Sequence, residues 1–253
     1  MIKKNFSFIT FNIQGVPRKS SKIFERLNQL ALNLNQQTVD LINLQEVFTY
    51  QQLTILKNNL TSYPYCIFQP AVFGPKGGLV TFSKHPIKSH KYYSFGFSFH
   101  FLKQFFRNIL SDKGFLVSYF NDYLVINTHF YFASLNKEKT YHHQIKKLST
   151  IVNRTTKKTI LTGDFNIPKN HHLYSSLTNS LNLINPFPQN LSPTFHQEFL
   201  SPDQKGYCLD HIFISPNLNP IIQNYLFQQP IISKSNNHGF LSDHLAIKTI
   251  ISF

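Results

Sequence analysis

The chain has 253 residues, 42% of them hydrophobic and 14% charged, a composition that can bury a full core and excludes intrinsic disorder. Lysine and arginine number 25 against 11 acidic residues, a formal charge of +14, which predicts attraction to phosphate-bearing polymers, anionic membranes or small anions without choosing among them. Cys66 and Cys208 are the only cysteines, which excludes a disulfide-dense scaffold and a cysteine-rich zinc site; a reduced interior is the simpler reading.

No apolar run approaches the roughly 18 residues of a membrane-spanning helix. The stretch after Lys3 and Lys4 is broken by Asn5, Ser7, Thr10 and Asn12 and lacks the apolar region of a secretory signal. The expected location is therefore cytoplasmic, or outside the cell by a route independent of a signal peptide. No repeat and no Gly/Ser-rich or Pro-rich linker divides the chain, so residues 1–253 are expected to form a single domain.

In chain order, Phe6, Phe8, Ile9, Phe11 and Ile13 predict a first strand, and apolar residues at 23, 27, 30, 31 and 34 predict a helix from Ile23 to Leu34. Val39 to Leu44 reads as a short buried strand, followed by a helix from about Tyr50 to Asn59 and strands near Tyr65 to Phe68 and Gly78 to Ser83. Alternating aromatics predict a strand from Tyr92 to Phe99. Phe115 to Phe120 and Tyr123 to Thr128, separated by Asn121-Asp122, predict a hairpin. A basic helix from Lys137 to Val152, a strand at Thr159 to Leu161, a helix near His172 to Ser180, and strands at Leu209 to Ile214 and Leu245 to Ile251 complete the set. Mixed strands with scattered helices suggest two stacked sheets faced by helices.

Polar, metal-competent residues recur where these strands end: Asn12, Glu46, His129, Asp164, Asn166, Asp210, Asp243 and His244. Loops at one edge of a rigid scaffold would hold them together. Each alone has a structural explanation, such as a turn residue at Asp164 or a hydrogen-bonded core histidine at His129. Together they weigh more, because acidic residues are scarce in this basic chain.

The order of these motifs resembles the endonuclease/exonuclease/phosphatase superfamily over essentially the whole chain. Phe11-Asn12-Ile13, Leu44-Gln45-Glu46-Val47, Asn127-Thr128-His129-Phe130, Gly163-Asp164-Phe165-Asn166, Leu209-Asp210-His211-Ile212 and Ser242-Asp243-His244 match its motifs in sequence. The resemblance implies a four-layer α/β sandwich of two mixed β-sheets flanked by helices, as in DNase I, and divalent-metal-dependent hydrolysis of phosphate esters. Its implied metal set is Glu46 and Asn12 with Asp243, direct or through water, holding Mg²⁺ or Mn²⁺. It implies that His244 is the general base and that Asp210 orients it. His129 and Asn166 would donate hydrogen bonds to the phosphoryl oxygens, and Asp164 would position water or a second metal.

Within the superfamily, Gly78-Leu79-Val80-Thr81-Phe82-Ser83-Lys84-His85-Pro86-Ile87 and Ser111-Asp112-Lys113-Gly114-Phe115-Leu116 are similar to segments of neutral sphingomyelinases. There the lysine matching Lys113 contacts substrate, and a charge-assisted bond to a phosphodiester oxygen gives the physical reason. An aspartate five residues before that lysine in eukaryotic members is Asn108 here. The implied substrate is a sphingolipid at a membrane surface, hydrolysed by a monomer. The aromatic segment from Tyr92 to Phe106 is either a half-buried strand or an apolar edge for the lipid interface. A nuclease of the DNase I or apurinic-site type is the alternative, and Lys137, Lys139, Lys146 and Lys147 on one helix would suit a nucleic-acid backbone.

Overall fold

The computed structural model describes residues 5–16, 22–96, 112–132, 138–189, 192–232 and 237–253. In order these form β1 (Asn5–Asn12), α1 (Ile23–Asn35), β2 (Leu41–Gln45), α2 (Tyr50–Asn59), β3 (Tyr65–Ile67), β4 (Val80–Ser83) and β5 (Ser89–Ser94). They continue with β6 (Gly114–Tyr119), β7 (Tyr123–His129), α3 (Glu138–Val152), β8 (Lys158–Asp164), α4 (His172–Ser180), β9 (Asp210–Ile214), β10 (Asn219–Leu226) and β11 (Ala246–Ser252).

The strands build two mixed sheets, one in the order β10-β11-β1-β2-β4-β3 and one in the order β5-β6-β7-β8-β9. Each sheet has one parallel pair, β1 with β2 and β7 with β8; all other neighbours are antiparallel. A helix crosses between the members of each parallel pair, as a parallel connection requires: α1 in the first and α3 in the second. Three buried apolar clusters give the layering. One lies between α1, α2 and the first sheet, one between α3, α4 and the second, and one, with Phe6, Phe8, Leu41, Val125 and Ile160, between the sheets. The expected sandwich of two mixed sheets between helices is the fold.

Strand period places the site. Alternate residues of β1, β2, β7, β8 and β9 enter the space between the sheets, and register arranges them in rows. Phe8 beside Leu41 faces Val125, Ile160 and Ile214; two residues on, Thr10 and Asn43 accompany Asn127 and Thr162; two further, Asn12 and Gln45 accompany His129, Asp164 and Asp210. The apolar row contributes about 1.5 to 3 kcal/mol per side chain. The middle row is polar but satisfied across the interface: Asn43 Nδ2 donates to Thr162 Oγ1 at 2.9 Å, Gln45 Nε2 to Asn127 Oδ1 at 2.7 Å, and Asn127 Nδ2 to Leu44 O at 2.9 Å. The third row is the candidate site.

Three segments depart from the sequence expectations. β10 was not expected: its Pro220 and Asn219 argue against a strand, yet it is an edge strand with a register shift between Pro220 and Ile222, where a missing N–H is tolerated. β5 begins at Ser89 rather than Tyr92. Of the aromatic segment that follows, Phe95 is fully buried between Phe115 and Phe130, whereas Phe97 to Phe106 lie outside the described residues. β8 runs on through Asp164, because Asn127, Thr128 and His129 of β7 pair with Thr162, Gly163 and Asp164. Both cysteines are free.

Candidate active site

Loop geometry at the strand ends is set by close backbone approaches and by unusual dihedrals. A Cβ on Gly15 would lie 1.7 Å from Glu46 O, so the chain leaving β1 can cross the chain leaving β2 only at a glycine. Gly163 is equally constrained, with Thr128 O 2.0 Å from its would-be Cβ. Gln14, Glu46 and Asn166, each just beyond a strand end, have φ of 51°, 67° and 50°. Left-handed backbone in such residues costs about 1 to 3 kcal/mol each and concentrates at functional sites.

Buried side chains hold these loops in place. Arg26 on α1 is inaccessible to solvent and donates to Ile13 O, Gln14 O and Leu241 O at 2.5, 2.6 and 2.6 Å, tying the loop after β1 to the one before β11. Burial lowers its pKa to about 10 even though Asp243 and Glu46 pull the other way. Gln52 closes a capping box with Thr49 at the start of α2, and also accepts from Phe48 N and donates to Gly15 O.

Asp164 is at the centre of the cluster and is 1% exposed. Its Oδ2 accepts from Asn12 Nδ2 at 2.9 Å and lies 3.4 Å from His129 Nε2 and 3.9 Å from His244 Nε2; its Oδ1 accepts from the Asn166 backbone N–H at 2.9 Å. His244 Nδ1 donates to Asp210 Oδ2 at 2.8 Å, and the ring packs edge-on against Phe195 with centroids 5.1 Å apart. Thr194 Oγ1 accepts from Asp210 N and Leu209 N, fixing the orienting carboxylate from behind. Asp243 is joined by Gln14, whose Nε2 donates to its Oδ2 at 2.8 Å. Glu46 Oε1 is 4.0 Å from His129 Nε2. Lys113, the lysine matched to a substrate contact, is 8% exposed, with Nζ 2.6 and 2.8 Å from the ring nitrogens of His129 and 5.5 Å over the ring of Phe48.

The ionisation states follow from burial and neighbours. Burial, then Asp210, raises the Asp164 pKa to about 7 against the opposing pull of His244, Asn166 and Asn12. Burial lowers that of His244, but Asp210, Asp164 and Asp243 more than offset it and bring it up to about 10. Burial, followed by Lys113 and His244, holds His129 well below the ordinary imidazole value, so His129 is neutral and accepts from the lysine. Burial brings Lys113 down to about 8 against Glu46 and Asp164.

All nine sequence-derived residues thus lie at one end of the sandwich. Asn166 departs from expectation in that an amide N–H is committed to Phe130 O, while its backbone N–H holds Asp164. The sequence reading missed Gln14, Arg26, Gln52, Thr194 and Phe195. Thr49-x-x-Gln52 was a visible capping signal; the others act through contacts remote in sequence.

The donor set suits a hard divalent cation. Carboxylate and amide oxygens dominate, and the nearby Cys208 thiol is pushed up to about 12 by burial and then Asp210, so no thiolate competes. Asp164, Asp210 and His244 offer ligand atoms within 4.8 Å of one another, and Gln14 Oε1, Gln45 Oε1 and Asp210 Oδ1 are buried acceptors without a partner.

Residues 9–244 match the model of the Endonuclease/Exonuclease/phosphatase family. The chain belongs to that family. Its members are metal-dependent phosphodiesterases and phosphatases, and this chain is accordingly a phosphoric-ester hydrolase. Within the family it is 30% identical over 185 residues to sphingomyelin phosphodiesterase 2 of Homo sapiens, which covers 66% of this chain and 43% of that protein. The chain therefore spans less than half the length of that relative. D. rerio TDP2 complexed with a single-strand DNA product has the same fold, at 14% identity and a TM-score of 0.77 over 98% of this chain and 99% of that one. A double mutant of beta toxin from Staphylococcus aureus with bound magnesium ions matches at 18% identity and a TM-score of 0.69, over 97% and 99%. No helix among the described residues is long and apolar enough to cross a membrane.

Proposed function

We propose that this family member is a sphingomyelinase-type phospholipase C that cleaves sphingomyelin to phosphocholine and ceramide, acting as a single domain and as a monomer. The observation that carries the reading is Lys113, buried against His129 within the acidic cluster rather than solvated, on a segment similar to neutral sphingomyelinases. The identity with sphingomyelin phosphodiesterase 2 supports it.

Glu46, Asn12 and Asp243 would hold Mg²⁺ or Mn²⁺, which when bound supplies Lewis-acid polarisation of a phosphoryl oxygen and a positive charge that opposes protonation of His244. With Nδ1–H committed to Asp210, His244 presents Nε2 as the atom that takes a proton from attacking water. Asp164 faces that Nε2 and positions the water. The Lys113 ammonium stabilises the non-bridging oxygens as charge builds there, with His129 holding the lysine in place. Asn166 acts by orienting Asp164.

A second reading, hydrolysis of a nucleic-acid phosphodiester, draws on the +14 charge and on the exposed Lys139 and Lys146 of α3, although Lys147 of the same helix is spent on Phe95 O. Parallel assays on sphingomyelin vesicles, phosphatidylcholine vesicles, plasmid DNA and abasic DNA decide between them. Phosphocholine release from sphingomyelin is expected; plasmid nicking with steep salt dependence and no phosphocholine would reject the lipid reading.

A further inference from the structure

The segment between β3 and β4 forms a small closed hairpin of its own. Pro70 bridges Pro75, Ala71 N donates to Gly74 O at 3.0 Å, and Lys76 N to Gln69 O at 2.7 Å. It is fastened to the loop that follows Glu46. Tyr50 N donates to Phe73 O at 3.0 Å, Tyr50 Oη to Ala71 O at 2.7 Å, and Gly74 sits so close that a Cβ there would meet Phe48 O at 2.5 Å. Ordered backbone thus presents the two tip residues, Val72 and Phe73, to solvent, 79% and 55% exposed. Three residues beyond His129, Phe132 is 75% exposed.

From this arrangement we infer that the Ala71–Gly74 tip, with Phe132 as a second prong, is a docking surface for a neutral phospholipid bilayer. The inference rests on the reading of the substrate as a membrane lipid and adds the surface by which the protein reaches it. Three features select a bilayer. The tip carries no charge, and the nearest cation along the chain, Lys76, is paired with Asp112 at 3.0 Å, so the tip itself offers nothing to a phosphate backbone. Val72, Phe73 and Phe132 end in hydrocarbon with no hydrogen-bonding group, which suits insertion among acyl chains. The tip is fastened to the loop that follows Glu46, and Phe132 follows His129 by three residues, so insertion of these apolar side chains would bring the cluster down onto headgroups.

Co-sedimentation with neutral vesicles of sphingomyelin and phosphatidylcholine at high salt tests the inference. The wild type should partition onto the vesicles, and the double variant Val72→Ser, Phe73→Ser should lose about tenfold or more of that partitioning. Turnover of the soluble ester bis(p-nitrophenyl) phosphate should be unchanged, and Val72→Leu with Phe73→Leu should restore vesicle binding. A wild type that ignores neutral vesicles, or a serine variant that binds them equally well, overturns the inference. So does a serine variant that loses single-stranded oligonucleotide instead. Loop-dependent vesicle binding without phosphocholine release would leave the docking surface standing and reject the sphingomyelinase reading alone.

Discussion

Asp164 is a liability to the metal-free fold, and replacing it should show how large. Its pKa is raised from 3.8 to about 7, first by burial and then by Asp210. Between those values the folded state holds a proton that the unfolded chain has released, so stability falls as pH rises through that window and the loss is complete above it. A shift of this size corresponds to about 4 kcal/mol. Asp164→Asn removes the ionisation but can accept only one of the two bonds from Asn12 and Asn166, a loss of about 1 kcal/mol. In the presence of a chelator the variant should therefore be more stable than wild type by about 3 kcal/mol near neutrality, raising Tm by roughly 6 to 12 °C for a chain of this size. At pH 4.5 the advantage should nearly vanish, because only about 1 kcal/mol of the ionisation cost has then built up, and the lost hydrogen bond cancels it. Calorimetry at the two pH values, with phosphodiester turnover measured alongside, is the assay; turnover should be lost. A variant less stable than wild type near neutrality, or a gain independent of pH, would refute the electrostatic reasoning.

His244→Ala should lower kcat on a soluble phosphodiester by about 100- to 10,000-fold, and Asp210→Asn by about 10- to 100-fold, since one moves the proton and the other orients the ring; equal effects in pre-steady-state assays would argue against that division. Glu46→Ala should weaken Mn²⁺ binding at least about tenfold by calorimetric titration, with activity partly recovered at excess metal; unchanged affinity would remove Glu46 from the ligand set. Lys113→Ala should lower kcat/KM even for soluble phosphodiesters, because the lost contact is with the phosphate, and Lys113→Arg should recover part of it. Arg26→Met leaves three buried carbonyls unpaired and should cost about 3 kcal/mol, seen as a Tm lower by roughly 6 to 12 °C; a shift within about 1 °C would show that the loops hold without it.

The fold was legible because its inner strands are buried on both faces and read as short apolar runs ending in polar residues. Phe6, Phe8 and Phe11 marked β1, and the Asn121-Asp122 turn marked the β6–β7 hairpin, closed by Phe120 N on Tyr123 O. β10 was illegible because an edge strand with residues 219–222 exposed needs neither alternation nor every N–H. The motif residues were legible by type, yet type could not tell a buried Lys113 from a solvated one. Burial there depends on β6 pairing with β7, which sets Gly114 opposite His129 and so brings the lysine alongside the histidine. Arg26 was equally hidden: in a helix read for its apolar stripe, a single arginine belongs by default to the solvent face.

Arg26 also explains how so many acidic groups share one end of the molecule. Asp164, Asp210, Asp243 and Glu46 converge there, and a cluster of buried carboxylates repels itself and resists desolvation. The guanidinium directs its Nη donors to the Ile13, Gln14 and Leu241 carbonyls rather than to a carboxylate. It therefore acts at longer range, as a fixed positive charge behind Glu46 and Asp243, the two carboxylates assigned to the metal. That placement lowers the repulsion among the carboxylates without occupying their ligand atoms. Lys113 does the same toward Glu46 and Asp164, while its contact with neutral His129 leaves ammonium hydrogens free for an incoming phosphodiester. Two buried cations, Arg26 and Lys113, and three left-handed residues at the strand ends hold the carboxylates together against their mutual repulsion. Asp164→Asn measures the largest part of that opposition.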